Sequence, residues 1–207
     1  MKLRRQVLGS GRIEALSDNI FAVAMTLLIV NIKVPTNLGA HDVKHVWALV
    51  LPLWHHLRAF ALSFIIIGLY WVAHHRVFAL IERSDVGLLL LNLVFMGFTV
   101  LTPFSTGLLG QFDDSRVALT IYGTNIICIS LTLQGIWWYA TAGRRLTDPA
   151  IQQKLVRSNT ARNLSVVVLG LVGIVVSFFN VTLSLWTYLF VPVAFLWPFA
   201  QVSDSDL

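Results

Sequence analysis

The chain has 207 residues, 57% of them apolar and 12% charged, with a formal net charge of +5 and a mean hydropathy of +0.76. That leaves too little charge to coat a water-soluble globule of this size, so lipid is the solvent implied for most of the surface. A soluble catalytic domain is excluded as well, because the longest polar connection covers only residues 142–161.

Six apolar stretches are each long enough to cross a hydrocarbon core of roughly 30 Å as helix. They lie near 12–34, 54–80, 86–110, 116–141, 162–180 and 183–201. The fold class they predict is all-α, a polytopic membrane protein whose single domain takes up residues 1–207. The basic start, Met1 to Arg5, precedes an apolar segment as in a signal peptide, but Asp18 and Asn19 inside that segment point to a retained helix.

The first span differs from the others. It carries Arg12, Glu14, Ser17, Asp18 and Asn19 ahead of the apolar run Ile20 to Val30, and ionisable groups at membrane depth are costly enough to suggest function. Pro35 is expected to end this helix, and His45 to Leu53, with Pro52, reads as a short interfacial helix before the second span. On a helix, Arg12, Asn19, Val23, Thr26, Leu27 and Val30 fall within about 50° of one line. This stripe is polar at one end and apolar at the other apart from Thr26. The same spacing serves ordinary helix packing, which is its commoner use, so periodicity does not separate a pore from a seam. Asp18 points roughly 120 to 130° away from the stripe, toward another helix. A carboxylate so placed needs a partner, for which Arg12 of a neighbouring chain, His74, His75 and Asn92 are candidates, unless Ser17-Asp18 simply caps the helix.

The second span contains Tyr70-Trp71 and His74-His75, and Glu82 to Asp85 make a tight turn into the third, which holds Asn92 and Pro103. Adjacent histidines point about 100° apart on a helix, so neither His55-His56 nor His74-His75 easily offers two ligands to one ion. No structural metal, cofactor or catalytic site is expected, and no signature of an enzyme is present. In the fourth span, Thr120 to Thr124 resembles a carbonyl-lined filter in composition, but a continuous helix keeps its carbonyls bonded, and the segment reads as packing. Cys128 reads as packing too. The last two spans are nearly plain apolar helices with a turn around Asn180.

Six spans place both ends on one side. That side collects Lys2, Arg4, Arg5, Arg12, Arg76, Arg83, Arg144, Arg145, Lys154, Arg157 and Arg162, eleven of the fifteen basic residues, so both termini are predicted to be cytoplasmic. Topology accounts for the basic balance, and no nucleic-acid partner is implied.

The segment Arg12-Ile13-Glu14-Ala15-Leu16-Ser17-Asp18 resembles the RxxxFSD signature of the transmembrane-protein-175 family of potassium channels, with Leu16 in place of the signature Phe. Similarity continues through Ala22, Thr26-Leu27-Leu28 and Pro35, then Tyr70-Trp71 with His74-His75, and Asn92 with Pro103-Phe104 and Thr106. The resemblance implies a homotetramer of six-helix subunits in the bilayer of a prokaryotic inner membrane. It implies a potassium-selective or potassium-preferring cation channel with no carbonyl filter, whose pore is lined by the first helix. Val23 would form an apolar constriction, Leu27 and Val30 further rings, and Thr26 a hydroxyl position near permeating K+. Many members carry Ile or Leu at the Val23 position, so the smaller side chain implies a wider constriction. Arg12, Ser17 and Asp18, with Trp71, His74, His75 and Asn92, would form a network bracing that helix. The competing expectation is a proton-coupled transporter or proton channel that uses Asp18 and His74/His75 as a relay.

Overall fold

The computed structural model describes residues 10–33, 47, 50–144, 146–148 and 152–196. Pro35, the loop after it and residues 45, 46, 48 and 49 of the interfacial segment expected over His45 to Leu53 lie outside them; Leu51–Leu53, holding Pro52, forms one 3-10 turn. Helices make up the described chain: α1 (Ser10–Val30), α2 (Trp54–Ala79), α3 (Val86–Gln111), α4 (Arg116–Thr141), α5 (Gln153–Ser177), α6 (Val181–Leu189) and α7 (Val191–Leu196). Five of them, α1 to α5, are long and apolar enough to cross a membrane.

Up-and-down order follows from contacts at the two ends of the bundle. At one end Glu82 N–H donates to the Leu146 carbonyl at 2.9 Å, joining the α2–α3 turn to the α4–α5 connection. At the other, Arg58 at the start of α2 bonds Asp113 in the α3–α4 turn at 2.8 Å, and His55 pairs with the same carboxylate. The α2–α3 turn is sharp because Asp85 caps α3, its Oδ1 accepting Leu88 N–H at 3.0 Å, while Tyr139 of α4 donates to the same carboxylate. That satisfies an orphan donor of the first helical turn.

In cross-section, α3 packs against α2 and α4, α5 pairs with α4, and α6 and α7 lie on α5. Polar glue runs between the helices where no water is available: Tyr70 Oη lies 2.6 Å from Ser130 Oγ, and Ser63 Oγ lies 3.0 Å from Tyr122 Oη. Tyr122 is thus a buried packing residue, and a Cβ on Gly123 would collide with Tyr188. The filter-like stretch is helix and packing, as expected.

Three boundaries differ from the hydropathy pattern. α1 stops at Val30 instead of running to 34, and the Asn31 side chain turns to α3, donating Nδ2 to the Pro103 carbonyl at 2.7 Å. α5 starts at Gln153 instead of 162. Its added turns are polar, yet Asn159 in them is buried, as are Arg162 and Asn163 just beyond; Asn163 donates to Gln134 of α4 at 3.0 Å and Gln134 to Thr160 at 3.3 Å. Hydropathy does not register polar residues that pair with one another. The sixth span is broken into α6 and α7, with Pro192, which has no N–H to give, in the first turn of α7. Asn180 caps α6 through Leu183 N–H, 3.0 Å, where the turn is expected. The part of that span beyond 196 lies outside the described residues.

Candidate functional site: the first helix and its supports

Of the five long helices, α1 stands at the edge of the bundle, packed on α2 and α3. Its buried face is Ile13, Ser17, Phe21, Ala24 and Leu28, a spacing of four, four, three and four residues that makes one helical stripe. Phe21 packs against the His74 ring at 5.8 Å and against Phe95 at 6.0 Å. The second stripe, centred roughly 140° around the helix, is turned away from the protomer. Val23 is 55% exposed, Leu27 42% and Val30 64%, and Arg12, Asn19 and Thr26 are exposed beside them. These residues are therefore not a packing seam inside one chain.

Two exposed polar side chains of this stripe, Asn19 and Thr26, fold back on their own helix. Asn19 Nδ2 donates to the Ala15 carbonyl at 2.8 Å, and Thr26 Oγ1 donates to the Val23 carbonyl at 2.8 Å. The single donor of Thr26 is thereby used within the helix, which leaves its hydroxyl lone pairs as acceptors, while Asn19 keeps its Oδ1 and a second N–H.

Two separate links hold the inner half of α1. Ser17 is buried and donates to the Ile13 carbonyl at 2.9 Å while accepting from Asn92 Nδ2 of α3 at 3.0 Å. Asn92 Oδ1 in turn accepts from His74 Nε2 of α2 at 2.9 Å. His74 lies between Phe78 and Phe95, with ring centroids 4.3 and 5.4 Å away. One amide thus ties α1, α2 and α3 together in the buried centre. The second link is at the surface, where Trp71 Nε1 donates to Asp18 Oδ1 at 2.8 Å and the indole stacks on His75 at 6.2 Å.

The network therefore sorts differently from the list of candidates. Asp18 pairs with Trp71, whereas His74 and Asn92 serve Ser17; His75 is exposed and contributes a stacked ring. Asp18 accepts no hydrogen bond from either histidine. Arg12 is exposed at the start of the helix, away from Asp18 of its own chain. The link that sequence reasoning missed is Asn31 to Pro103, at the far end of α1. A lone amide closing an apolar run is a signal for it, but the partner is a backbone carbonyl more than seventy residues away, which leaves no trace in sequence.

The model of the endosomal/lysosomal potassium channel family TMEM175 matches residues 12–103, the part that holds α1 and its supports. A potassium channel of Streptomyces collinus is 36% identical over 157 residues, 74% of this chain and 75% of that one. The chain belongs to the TMEM175 family. A potassium channel of Chamaesiphon minutus is 35% identical over 178 residues, 84% of this chain and 87% of that one. The crystal structure of a lysosomal potassium-selective channel TMEM175 homologue from Chamaesiphon minutus superposes with a TM-score of 0.77 at 31% identity, covering 91% of this chain and 96% of that one. The endosomal/lysosomal proton channel TMEM175 of Homo sapiens is 28% identical over 140 residues, 68% of this chain and 27% of that one. Membership makes the chain a multi-pass membrane protein, a cation channel and not an enzyme.

Proposed function

We propose that this TMEM175-family chain is a potassium-preferring channel whose conducting path is lined by α1. The observation that carries the reading is the division of α1 into two faces. One is anchored by Ser17, Phe21 and Leu28 in the protomer; the other presents Val23, Thr26, Leu27 and Val30 to whatever lies outside it. An edge helix with an outward stripe suits a shared axis, and four copies would enclose a pore there. Rings of Val23, Leu27 and Val30 act as apolar constrictions that pass ions only when hydrated. Thr26 supports a preference for cations, since its hydroxyl hydrogen is committed to the Val23 carbonyl and its oxygen is turned outward. The names of the Streptomyces and Chamaesiphon relatives support K+ as the ion.

The basic residues at the end of the bundle holding Arg12, Arg76, Arg83, Lys154 and Arg157 support a cytoplasmic location for that end and for both termini. The bacterial relatives support an inner membrane.

Proton conduction is the second reading, favoured by the name of the human relative. A relay through Asp18, His74 and His75 gains little from the geometry. Asp18 is bonded to an indole, and His74 to an amide, which does not readily pass a proton on. Reversal potentials of the purified protein in a planar bilayer separate the two readings. Under opposed K+ and pH gradients, the K+ reading has the potential following K+; a potential following the pH gradient contradicts it.

A further inference from the structure

At the end of the bundle opposite Arg83 and Lys154, a cleft of about 810 Å³ lies between α2 and α6. Its walls are apolar side chains of α2 and α6, among them Ile65 and Leu189, with Pro192 of α7 also lining it. Its mouth holds Arg58, Asp113 and Asp114. From Trp54 to Ile65 the cleft follows α2 for twelve residues, a rise of roughly 16 Å, which is about half of a 30 Å hydrocarbon core. The cleft is therefore one leaflet deep. Its second wall is the short apolar stretch Val181–Leu196 made of α6 and α7.

The chemistry of the mouth specifies the headgroup. Among the charged residues that line the cleft, Arg58 is neutralised by Asp113 at 2.8 Å, so the exposed Asp114 is the carboxylate in excess. Trp54 and Trp186, each 59% exposed, flank the cleft from α2 and α6. Among the described residues neither indole N–H is bonded. Tryptophans so placed at a membrane interface hold their rings at headgroup depth and donate to ester and phosphate oxygens.

We propose that this cleft binds one glycerophospholipid of the leaflet at that end. An acyl chain lies along Leu62 and Ile65, the ester region meets Trp54 and Trp186, and the headgroup carries an ammonium that faces Asp114. A primary-amine headgroup such as phosphatidylethanolamine fits; an anionic headgroup meets the excess carboxylate. A second copy of the chain is the less fitting occupant, because it would have to bury the charged mouth against protein.

The test uses the full-length protein purified in detergent and titrated with dioleoylphosphatidylethanolamine or dioleoylphosphatidylglycerol, with retained lipid counted by native mass spectrometry. The wild type is expected to keep one ethanolamine lipid per protomer, with a preference of roughly three- to fivefold over the glycerol lipid, the scale of a single exposed charge pair. Ala61→Trp, which fills the cleft, is expected to lose that lipid, and Asp114→Lys to reverse the headgroup preference. Retention unchanged by Ala61→Trp, or a preference unchanged by Asp114→Lys, would overturn the assignment. Efficient disulfide formation between protomers carrying Leu189→Cys would overturn it too, by showing that a second copy covers the cleft. These outcomes leave the pore reading untouched, since none of the substituted residues lies on α1.

Discussion

Trp71 of α2 donates its indole N–H to the Asp18 carboxylate of α1 at 2.8 Å, on the surface of the protomer and not in its core. Asp18 is the acid that closes the signature segment, and its partner is a neutral donor. The bond spends the carboxylate on bracing the helix.

Trp71→Phe isolates this contribution, because the ring that stacks on His75 is kept and only the donor is lost. It is expected to destabilise the solubilised protein by about 1 kcal/mol, below the roughly 1.5 to 3 kcal/mol of a hydrogen bond to a charged group because this one is exposed. Flux should fall while the K+/Na+ reversal potential stays at the wild-type value. Thermal melting and bi-ionic recordings read the two effects separately.

Asn92 should be the more sensitive position. Asn92→Leu leaves His74 Nε2 without its acceptor and Ser17 Oγ without its donor in a buried site, at an expected cost of about 2 to 4 kcal/mol. Ser17→Ala removes a single partner and is expected to cost about 1 to 2 kcal/mol. In a double-mutant cycle by thermal melting the two should be non-additive; strict additivity would mean that the Ser17–Asn92 bond contributes nothing.

Most of this fold was legible in the sequence for one physical reason: the bilayer demands long apolar helices, and composition exposes them. α1 to α5 appear where the apolar runs lie. The misplaced boundaries share a cause as well. Gln134 of α4 bonds Thr160 in the added turns of α5 and Asn163 just beyond them, and Asn31 leaves α1 for the carbonyl of Pro103; such pairings join residues distant in sequence and have no period. The outward stripe of α1 was legible as a stripe, but not as outward. Identical periodicity would have served a buried seam, and only the burial of the opposite face, Ile13 to Leu28, distinguishes the two.

Thr26→Val tests the hydroxyl position. It keeps the shape of the side chain and removes the oxygen, so K+ flux into liposomes is expected to persist while discrimination between K+ and Na+ drops, by roughly tenfold if one cation contact is worth about 1.4 kcal/mol. An unchanged reversal potential under bi-ionic conditions would remove Thr26 from the selectivity argument.

Val23 is 55% exposed on α1 and Leu28, five residues on, is fully buried in the same helix. Substituting Val23 tests the constriction by size: Val23→Ala should raise and broaden conductance, and Val23→Trp should abolish it.

The most direct measurement is block by a water-soluble thiol reagent in single-cysteine channels with Cys128→Ser as background. The account predicts that Val23→Cys, Thr26→Cys and Val30→Cys are modified during conduction, with current lost and K+ protecting, and that Leu28→Cys is untouched. Rapid modification of Leu28→Cys with no effect at Val23→Cys would contradict a pore lined by this face of α1.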